Sequence, residues 1–180
     1  MELDSRAETF ATIAHARVGQ IRKYTGAPYI EHPRAVVALV RSVPHDEAML
    51  AAAWLHDTVE DTGVLPEEIV RVFGEDVGSL VEQLTDVSKA SDGNRKARKA
   101  IDREHTARAT PRAKTIKLAD LIDNSKSILT LDPKFAVVYL AEKRELLPLL
   151  KSGDPTLWAQ ASAQVADYET RVTALRRAMR

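Results

Sequence analysis

Apolar residues recur three and four positions apart along most of this chain, which is the spacing of one face of an α-helix. Proline, glycine and short polar residues bound these repeats, and the first begins with the capping-box spacing Ser5-Arg6-Ala7-Glu8. No segment alternates apolar and polar residues as a half-buried strand would, so the pattern predicts an all-α fold. The predicted helices span about residues 5–24, 33–43, 46–59, 66–74, 77–84, 110–128 and 132–147, and a last one begins at 154.

Two of these predicted helices bear on function. Pro33 suits the first turn of the second helix, which places His32 at the entrance of that helix. The helix over 46–59 is apolar on most sides, which predicts a buried central helix with His56 and Asp57 near its end.

Length and composition favour an ordinary globular protein. A chain of 180 residues can bury one sizeable core, so we expect a single domain over residues 1–180. Lysine plus arginine equals aspartate plus glutamate at 26 each, so no overall charge draws the protein to DNA, RNA or a membrane. The sequence has no cysteine, no signal peptide and no run near the roughly 20 apolar residues of a membrane-spanning helix. We therefore expect a cytoplasmic protein whose partner is a small molecule.

His56-Asp57 is a neighbouring imidazole and carboxylate, the side-chain types that bind borderline divalent ions such as manganese, iron or zinc. On a continuous helix Glu60 lies one turn beyond His56, and Asp61 lies one turn beyond Asp57. Because this cluster follows a buried run, its charge would be costly without a compensating cation. A solvated, acidic helix end is the alternative interpretation of the same residues.

Two further segments carry charge in unusual places. Asp120, Asp123 and Asn124 share one face of an otherwise apolar helix. Such a stripe is usually solvated, but apolar residues bracket this one.

Residues 89–114 hold nine lysines and arginines against three acids. This basic segment could counter the charge of a polyphosphate, or it could be a solvated helix face.

Four ordered motifs resemble the hydrolase domain of the RelA/SpoT homologues. They are GAPYIEHP at 26–33, LHDTVEDT at 55–62, FG at 73–74, and KLAD at 117–120 followed by Asn124. The resemblance covers nearly all of residues 7–150, and the short chain is similar to the small alarmone hydrolases of that family. The synthetase, regulatory and ligand-binding domains of the long members have no counterpart in the sequence, so no alarmone synthesis is expected.

The resemblance implies a helical HD domain that binds one manganese ion. It implies removal of the 3′-pyrophosphate from guanosine tetra- or pentaphosphate, with GDP or GTP and pyrophosphate as products. By motif match, the implied metal ligands are His32, His56, Asp57 and Asp120. The implied catalytic pair, which positions and activates the attacking water, is Glu60 and Asp61. The implied nucleotide contacts are Arg22 and Lys23 near the base and phosphates, and Asn124 at the ribose.

Two departures from the family pattern leave the base preference open. Tyr24 is bulky where a small residue is common, at the expected base pocket. Ile122-Asp123 replaces an aromatic or aliphatic pair and adds a carboxylate beside the metal site. Adenosine alarmones, or the phosphate of NADPH, are therefore alternative substrates.

Two alternatives of other classes remain. One is a nucleotidase that acts on deoxynucleoside monophosphates, and the other is a degenerate HD domain that serves as a non-catalytic helical interaction module. The intact ligand residues favour an enzyme. His15, His45 and His105 lie outside the motifs and are interpreted as surface or core histidines. The sequence leaves open the metal used in the cell and the oligomeric state, with a homo-oligomer among the alternatives.

Overall fold

The protein is helical throughout the part that its computed structural model describes, namely residues 2–178 and the side chains of residues 2–170. The α-helices are α1 (Leu3–Arg17), α2 (Glu31–Arg41), α3 (Glu47–Leu55), α4 (Thr58–Thr62), α5 (Pro66–Phe73), α6 (Glu75–Leu84), α7 (Arg95–Ala107), α8 (Pro111–Leu131), α9 (Pro133–Leu146) and α10 (Pro155–Ala178). Short 3₁₀ turns span Ala90–Asp92 and Leu147–Leu150. No strand occurs in the described range, which confirms the predicted all-α class. None of the described helices is both long and apolar enough to cross a membrane.

α3 is the centre of the molecule. Every residue from Met49 to Leu55 is buried, and α1, α2, α6 and α8 all pack against this helix. Asp46 caps its start by accepting a hydrogen bond from the Met49 backbone N–H at 2.9 Å. The predicted buried central helix is confirmed, although it is shorter than the pattern indicates.

The helix predicted over 46–59 is interrupted after Leu55, and α4 begins at Thr58. The Thr58 hydroxyl donates to the Leu55 carbonyl at 2.7 Å, which stabilises the interruption by satisfying a backbone acceptor. His56 and Asp57 lie in this junction. The expectation of one continuous helix through Glu60 is therefore wrong.

α1 also differs from its prediction. It ends at Arg17 instead of near Tyr24, because Gly19 follows with a φ of +63°, a left-handed conformation that glycine adopts without strain. The N-cap is Glu2, which makes no side-chain cap hydrogen bond, so the predicted capping box at Ser5 is wrong.

A tight loop joins α1 to α2 and leads toward His32. The Arg22 N–H donates to the Ala27 carbonyl at 2.8 Å, and the Gly26 N–H donates to the Arg22 carbonyl at 2.9 Å. The Tyr29 N–H donates to the Gln20 carbonyl at 3.2 Å. These bonds fix the loop that carries several polar side chains of the site.

α8 is a 21-residue helix that crosses the molecule and contacts α2, α3, α6, α9 and α10. It begins as predicted, since the Thr110 hydroxyl caps it and Pro111 occupies its first turn. Because α8 packs on α2, its middle turns bring Asp120 and Asp123 to His32 of that helix.

The basic segment 89–114 contains α7, and several cations of this helix are already paired with carboxylates. Arg95 makes a bidentate contact with Glu142 at 2.7 and 2.8 Å, and the Lys99 Nζ lies 2.6 Å from Asp86. By contrast, the buried Nε of Arg98 has no hydrogen-bond partner among the described residues.

Candidate metal centre

His32 lies in the first turn of α2, and its side chain is fully buried. Its Nδ1 is 2.8 Å from Oδ2 of Asp123, a carboxylate on α8. Asp123 has a lowered pKa and accepts hydrogen bonds, so Nδ1 carries the proton in the neutral tautomer. The lone pair of Nε2 is therefore free for another ligand.

His56 has the same arrangement with a different partner. Its Nδ1 is 2.8 Å from the Ala53 carbonyl, which can only accept, so Nδ1 is again the protonated nitrogen. In these neutral tautomers both Nε2 atoms carry a lone pair, and the Nε2 atoms of His32 and His56 lie 3.3 Å apart. Two lone pairs facing each other in a buried site repel unless a proton or a cation lies between them.

Asp57 completes a compact group with the two histidines. Its Oδ2 lies 3.1 Å from Nε2 of His56 and 3.6 Å from Nε2 of His32. One ligand atom from each of these residues lies within 4.8 Å of the others. The Tyr29 hydroxyl donates to the same Asp57 oxygen at 2.6 Å and holds the carboxylate toward the histidines.

Asp120 adjoins this group without belonging to the set of mutually close ligand atoms. Its Oδ1 is 3.2 Å from Nε2 of His32 and accepts a hydrogen bond from the Asn124 amide at 2.6 Å. Its Oδ2 is 3.1 Å from the Nζ of Lys117. Of the four predicted ligands, His32, His56 and Asp57 therefore form one close group, and Asp120 contacts His32.

The electrostatics of the group favour an added positive charge. Burial opposes protonation of His32, but Asp120 and Asp123 outweigh it and raise the pKa to about 9. Burial also opposes ionisation of Asp57 and Asp120, yet the neighbouring cationic groups hold the pKa of both carboxyls below the usual range. Imidazole nitrogens and carboxylate oxygens are the ligands of borderline divalent metals, so the donor set fits such an ion.

The predicted catalytic pair lies on α4, directly after the ligand junction. Desolvation, reinforced by the carboxylates of Asp86 and Asp57, raises the pKa of Glu60 to about 7. Asp61 accepts a hydrogen bond from the Gln20 amide at 2.8 Å, and Gln20 in turn accepts from Nδ1 of the buried His15 at 2.7 Å. A carboxyl with this pKa can take up and release a proton near neutral pH, and Asp61 is held in place.

The predicted nucleotide contacts line a cavity of about 280 Å³ beside the metal group. Arg22 is already engaged, since its guanidinium contacts Asn124 at 3.2 Å and Asp123 at 3.3 Å. Lys23 is exposed, and its Nζ lies 4.8 Å from the centre of the Tyr24 ring. The structure gathers all three residues at one opening, but it also ties Arg22 and Asn124 to the carboxylates of α8.

Two further cavities flank the group on the side of α7. One of about 190 Å³ is lined by Asp120, Asn124 and Lys117 together with cations of α7. The other, of about 220 Å³, lies between Glu60 and Arg98. Asn124 lines both the first of these cavities and the cavity at Lys23, so it sits between them.

Sequence reasoning assigned no role to several side chains that hold the site together. Tyr29 orients Asp57, Gln20 orients Asp61, and Lys117 pairs with Asp120. Tyr29 and Lys117 lie inside the quoted motifs, and that position is the only indication the sequence gives.

Comparison with known proteins identifies the fold family. A family model described as the HD domain matches residues 7–146, a range that contains all four predicted ligands. The chain belongs to the HD domain family. For this HD domain the family and the His32, His56 and Asp57 group together support a divalent metal ion.

Curated relatives of this HD domain confirm the predicted resemblance to RelA/SpoT homologues. A probable guanosine-3′,5′-bis(diphosphate) 3′-pyrophosphohydrolase of Synechocystis is 42% identical over 132 residues, 72% of this chain and 17% of the relative. A guanosine-3′,5′-bis(diphosphate) 3′-pyrophosphohydrolase of Aquifex aeolicus is 37% identical over 123 residues, 68% of this chain and 17% of the relative. A probable GTP pyrophosphokinase of Mycobacterium leprae is 37% identical over 135 residues, 74% of this chain and 17% of the relative. The HD domain thus spans only 17% of the length of each of these relatives.

Two solved structures share the fold. The structure of a metazoan ortholog of SpoT that hydrolyses ppGpp superimposes with a TM-score of 0.81 at 28% identity, covering 93% of this chain and 96% of that one. A crystal structure of a Listeria monocytogenes protein gives a TM-score of 0.65 at 23% identity, covering 80% and 99%. The second match shows the helical fold alone.

Proposed function

We propose that this HD domain is a manganese-dependent pyrophosphohydrolase that removes the 3′-pyrophosphate of guanosine alarmones and leaves GDP or GTP. The observation that carries the proposal is the convergence of two histidine Nε2 atoms and the Asp57 carboxylate beside an acidic pair. The activities named for the Synechocystis and Aquifex relatives and for the metazoan SpoT ortholog support the substrate. Residues 1–180 are proposed to act as one hydrolase domain.

The proposed metal ligands are His32, His56, Asp57 and Asp120. A bound divalent ion supplies positive charge, which lowers the pKa of coordinated water from 15.7 toward about 7 and stabilises charge on phosphate oxygens. Tyr29 then acts as a support, because its hydroxyl holds the Asp57 carboxylate toward the two histidines.

Glu60 is proposed as the general base and Asp61 as the residue that orients water. The water oxygen forms a bond to the phosphorus on the ribose 3′-oxygen, Glu60 takes a proton from that water, and the bond from phosphorus to the 3′-oxygen breaks. The 3′-oxygen leaves as a hydroxyl by taking the proton that Glu60 holds, and the released diphosphate is pyrophosphate. A raised pKa of about 7 suits Glu60 to this exchange at neutral pH.

The substrate is proposed to lie across the opening marked by Arg22, Lys23 and Asn124, with its phosphates toward α7. Arg98 is the cation best placed to receive negative charge, because it lines the cavity next to Glu60 and its buried Nε is unpaired among the described residues. Charge-assisted hydrogen bonds from guanidinium to phosphate are strong, so Arg98 would hold the 3′-pyrophosphate group of the substrate.

The proposal is tested by incubating the purified protein with guanosine tetraphosphate and manganese and measuring GDP and pyrophosphate. Equimolar release of both products is expected, with loss of both on chelation. Asp57→Ala serves as the control for contaminating hydrolases. Absence of both products at micromolar enzyme would count against this substrate.

The same chemistry on adenosine alarmones, or on the phosphate of NADPH, is the second candidate. The reason to compare these substrates is Tyr24, a bulky residue that lines the cavity assigned to the base and whose hydroxyl donates to Asp132 at 3.0 Å. Parallel turnover of guanosine and adenosine substrates separates the two, and a strong guanosine preference would dismiss the adenine substrates.

A further inference from the structure

We propose that Asp123 is a positioning residue of the metal centre, which strengthens His32 as a ligand by accepting the hydrogen bond of its Nδ1. The inference rests on the metal site of the proposed function, but not on the identity of its substrate. It concerns a residue outside the predicted ligand, catalytic and nucleotide-binding sets.

The two histidines of the centre are not equivalent. The partner of His56 Nδ1 is a neutral backbone carbonyl, that of Ala53, at 2.8 Å. The partner of His32 Nδ1 is the carboxylate of Asp123 at the same distance of 2.8 Å. A carboxylate draws more strongly on the N–H proton than an amide carbonyl does, so the opposite nitrogen of His32 becomes the more basic donor.

Asp123 is itself held firmly in place. Only 13% of its side chain is exposed, and Arg22 contacts the same Oδ2 at 3.3 Å while being 16% exposed. The guanidinium also reaches the Asn124 amide oxygen at 3.2 Å. On the open side, the exposed Lys126 lies 3.7 Å from the other oxygen, Oδ1. Asp123 is therefore fixed between a buried imidazole and a largely buried guanidinium.

This arrangement gives the centre a third nearby carboxylate besides Asp57 and Asp120. Asp123 does not face the ligand group directly, because its inner oxygen is occupied by the Nδ1 side of His32. Its negative charge is transmitted through the ring to the metal-facing nitrogen. Partners of this kind are typically worth about 10- to 100-fold in metal affinity.

The matched test is a calorimetric titration of the metal-free protein with manganese chloride, without nucleotide. Asp123→Asn keeps the size and an acceptor oxygen but removes the charge, and we expect about 10-fold weaker binding. Asp123→Ala removes both, and we expect a loss approaching 100-fold. Lys126→Ala is the control, since it removes an exposed neighbour of Asp123 without touching His32, and it should bind as the wild type does.

A spectroscopic measurement separates the hydrogen bond from general destabilisation. In the zinc-loaded protein, which is diamagnetic, the His32 Nδ1 proton should resonate far downfield and be detectable by nitrogen-edited NMR. The resonance should move upfield in Asp123→Asn and vanish in Asp123→Ala, while the corresponding proton of His56 stays in place.

The outcomes are separable from those of the proposed function. Weaker manganese binding by a natively folded Asp123→Asn supports the inference even if no alarmone is hydrolysed. Wild-type affinity in Asp123→Asn, or an unchanged His32 resonance, would overturn it even if the alarmone assay succeeds. If Asp123→Ala fails to fold, judged by circular dichroism, the asparagine variant alone decides.

Discussion

Lys143 is a fully enclosed lysine, only 1% exposed, whose Nζ donates to the Ser125 hydroxyl and to the Gln164 amide oxygen, each at 2.8 Å. No carboxylate forms a salt bridge with it among the described side chains. Burial lowers its pKa from 10.5 to about 8, with only partial opposition from Asp120. The folded protein therefore binds a proton at Lys143 less tightly than the unfolded chain does.

This difference predicts a pH-dependent stability. Between pH 8 and 10.5 the unfolded chain binds the Lys143 proton more than the folded protein does, so stability rises with pH across that window and is flat with respect to this group below it. The full effect is about 3 kcal/mol. Urea unfolding at several pH values should show the rise in the wild type and in Lys151→Met, an exposed control, but not in Lys143→Met. Equal pH profiles for wild type and Lys143→Met would contradict the prediction.

A second residue-scale prediction separates binding from chemistry. Asp57→Ala should abolish manganese binding together with activity, because it removes a donor that lies against both histidines. Glu60→Gln should leave the ion bound and lower turnover by about 100- to 10,000-fold, because it removes only a proton acceptor. Metal content by mass spectrometry and turnover are measured on the same preparations. Equal metal loss in both variants would contradict this division of roles.

For single residues, the sequence predicted which side chains form the candidate site, but it did not predict the hydrogen bonds that orient them. The ligand roles stay predictions, although the structure does gather His32, His56 and Asp57. The bonds from His32 to Asp123, Gln20 to Asp61 and Tyr29 to Asp57 join residues 91, 41 and 28 positions apart. Such contacts depend on how helices pack, and no local spacing encodes them.

At the scale of elements, Gly78 is the clearest constraint on helix packing. A methyl group at Gly78 of α6 would lie 2.4 Å from Cγ2 of Val70 on α5. Gly78→Ala should therefore destabilise by about 1–2 kcal/mol despite the better helix propensity of alanine. In a Val70→Ala background the same change should be neutral or stabilising. Chemical denaturation of the four proteins measures this, and a stabilised Gly78→Ala in the wild-type background would contradict the packing.

Helix starts were predicted well where a capping residue precedes a proline, as at Thr110 and Asp132. The end of α1 was predicted too late. Val18 and Ile21 continue the apolar spacing of the helix in the sequence, but they are 50% and 60% exposed in the structure. Hydrophobic spacing extends a helix only where those residues are buried. α7 was not assigned as a helix for the converse reason, since its buried residues, Asp102 and Thr106, are polar.

At the scale of the whole molecule, the proposed ligands come from α2, from the junction between α3 and α4, and from α8, which all pack on one another. An ion that binds only this folded arrangement stabilises it by about 2.7 kcal/mol at a free concentration 100 times its Kd. For a chain of this size, the midpoint of thermal unfolding should rise by roughly 5–10 °C.

Differential scanning calorimetry with increasing manganese checks this prediction. The rise should depend on metal concentration and should be absent in Asp57→Ala. The same rise in that variant would show that the ion binds elsewhere on the protein.

The interruption between α3 and α4 has a consequence for any chain that carries a histidine followed by an aspartate. Consecutive side chains on an unbroken helix point about 100° apart, so they leave the helix in different directions. At residues 56 and 57 the helix is interrupted, and Nε2 of His56 lies 3.1 Å from Oδ2 of Asp57. A change at Thr58 that made the helix continuous is therefore expected to separate the two proposed donors while leaving both side chains in the sequence.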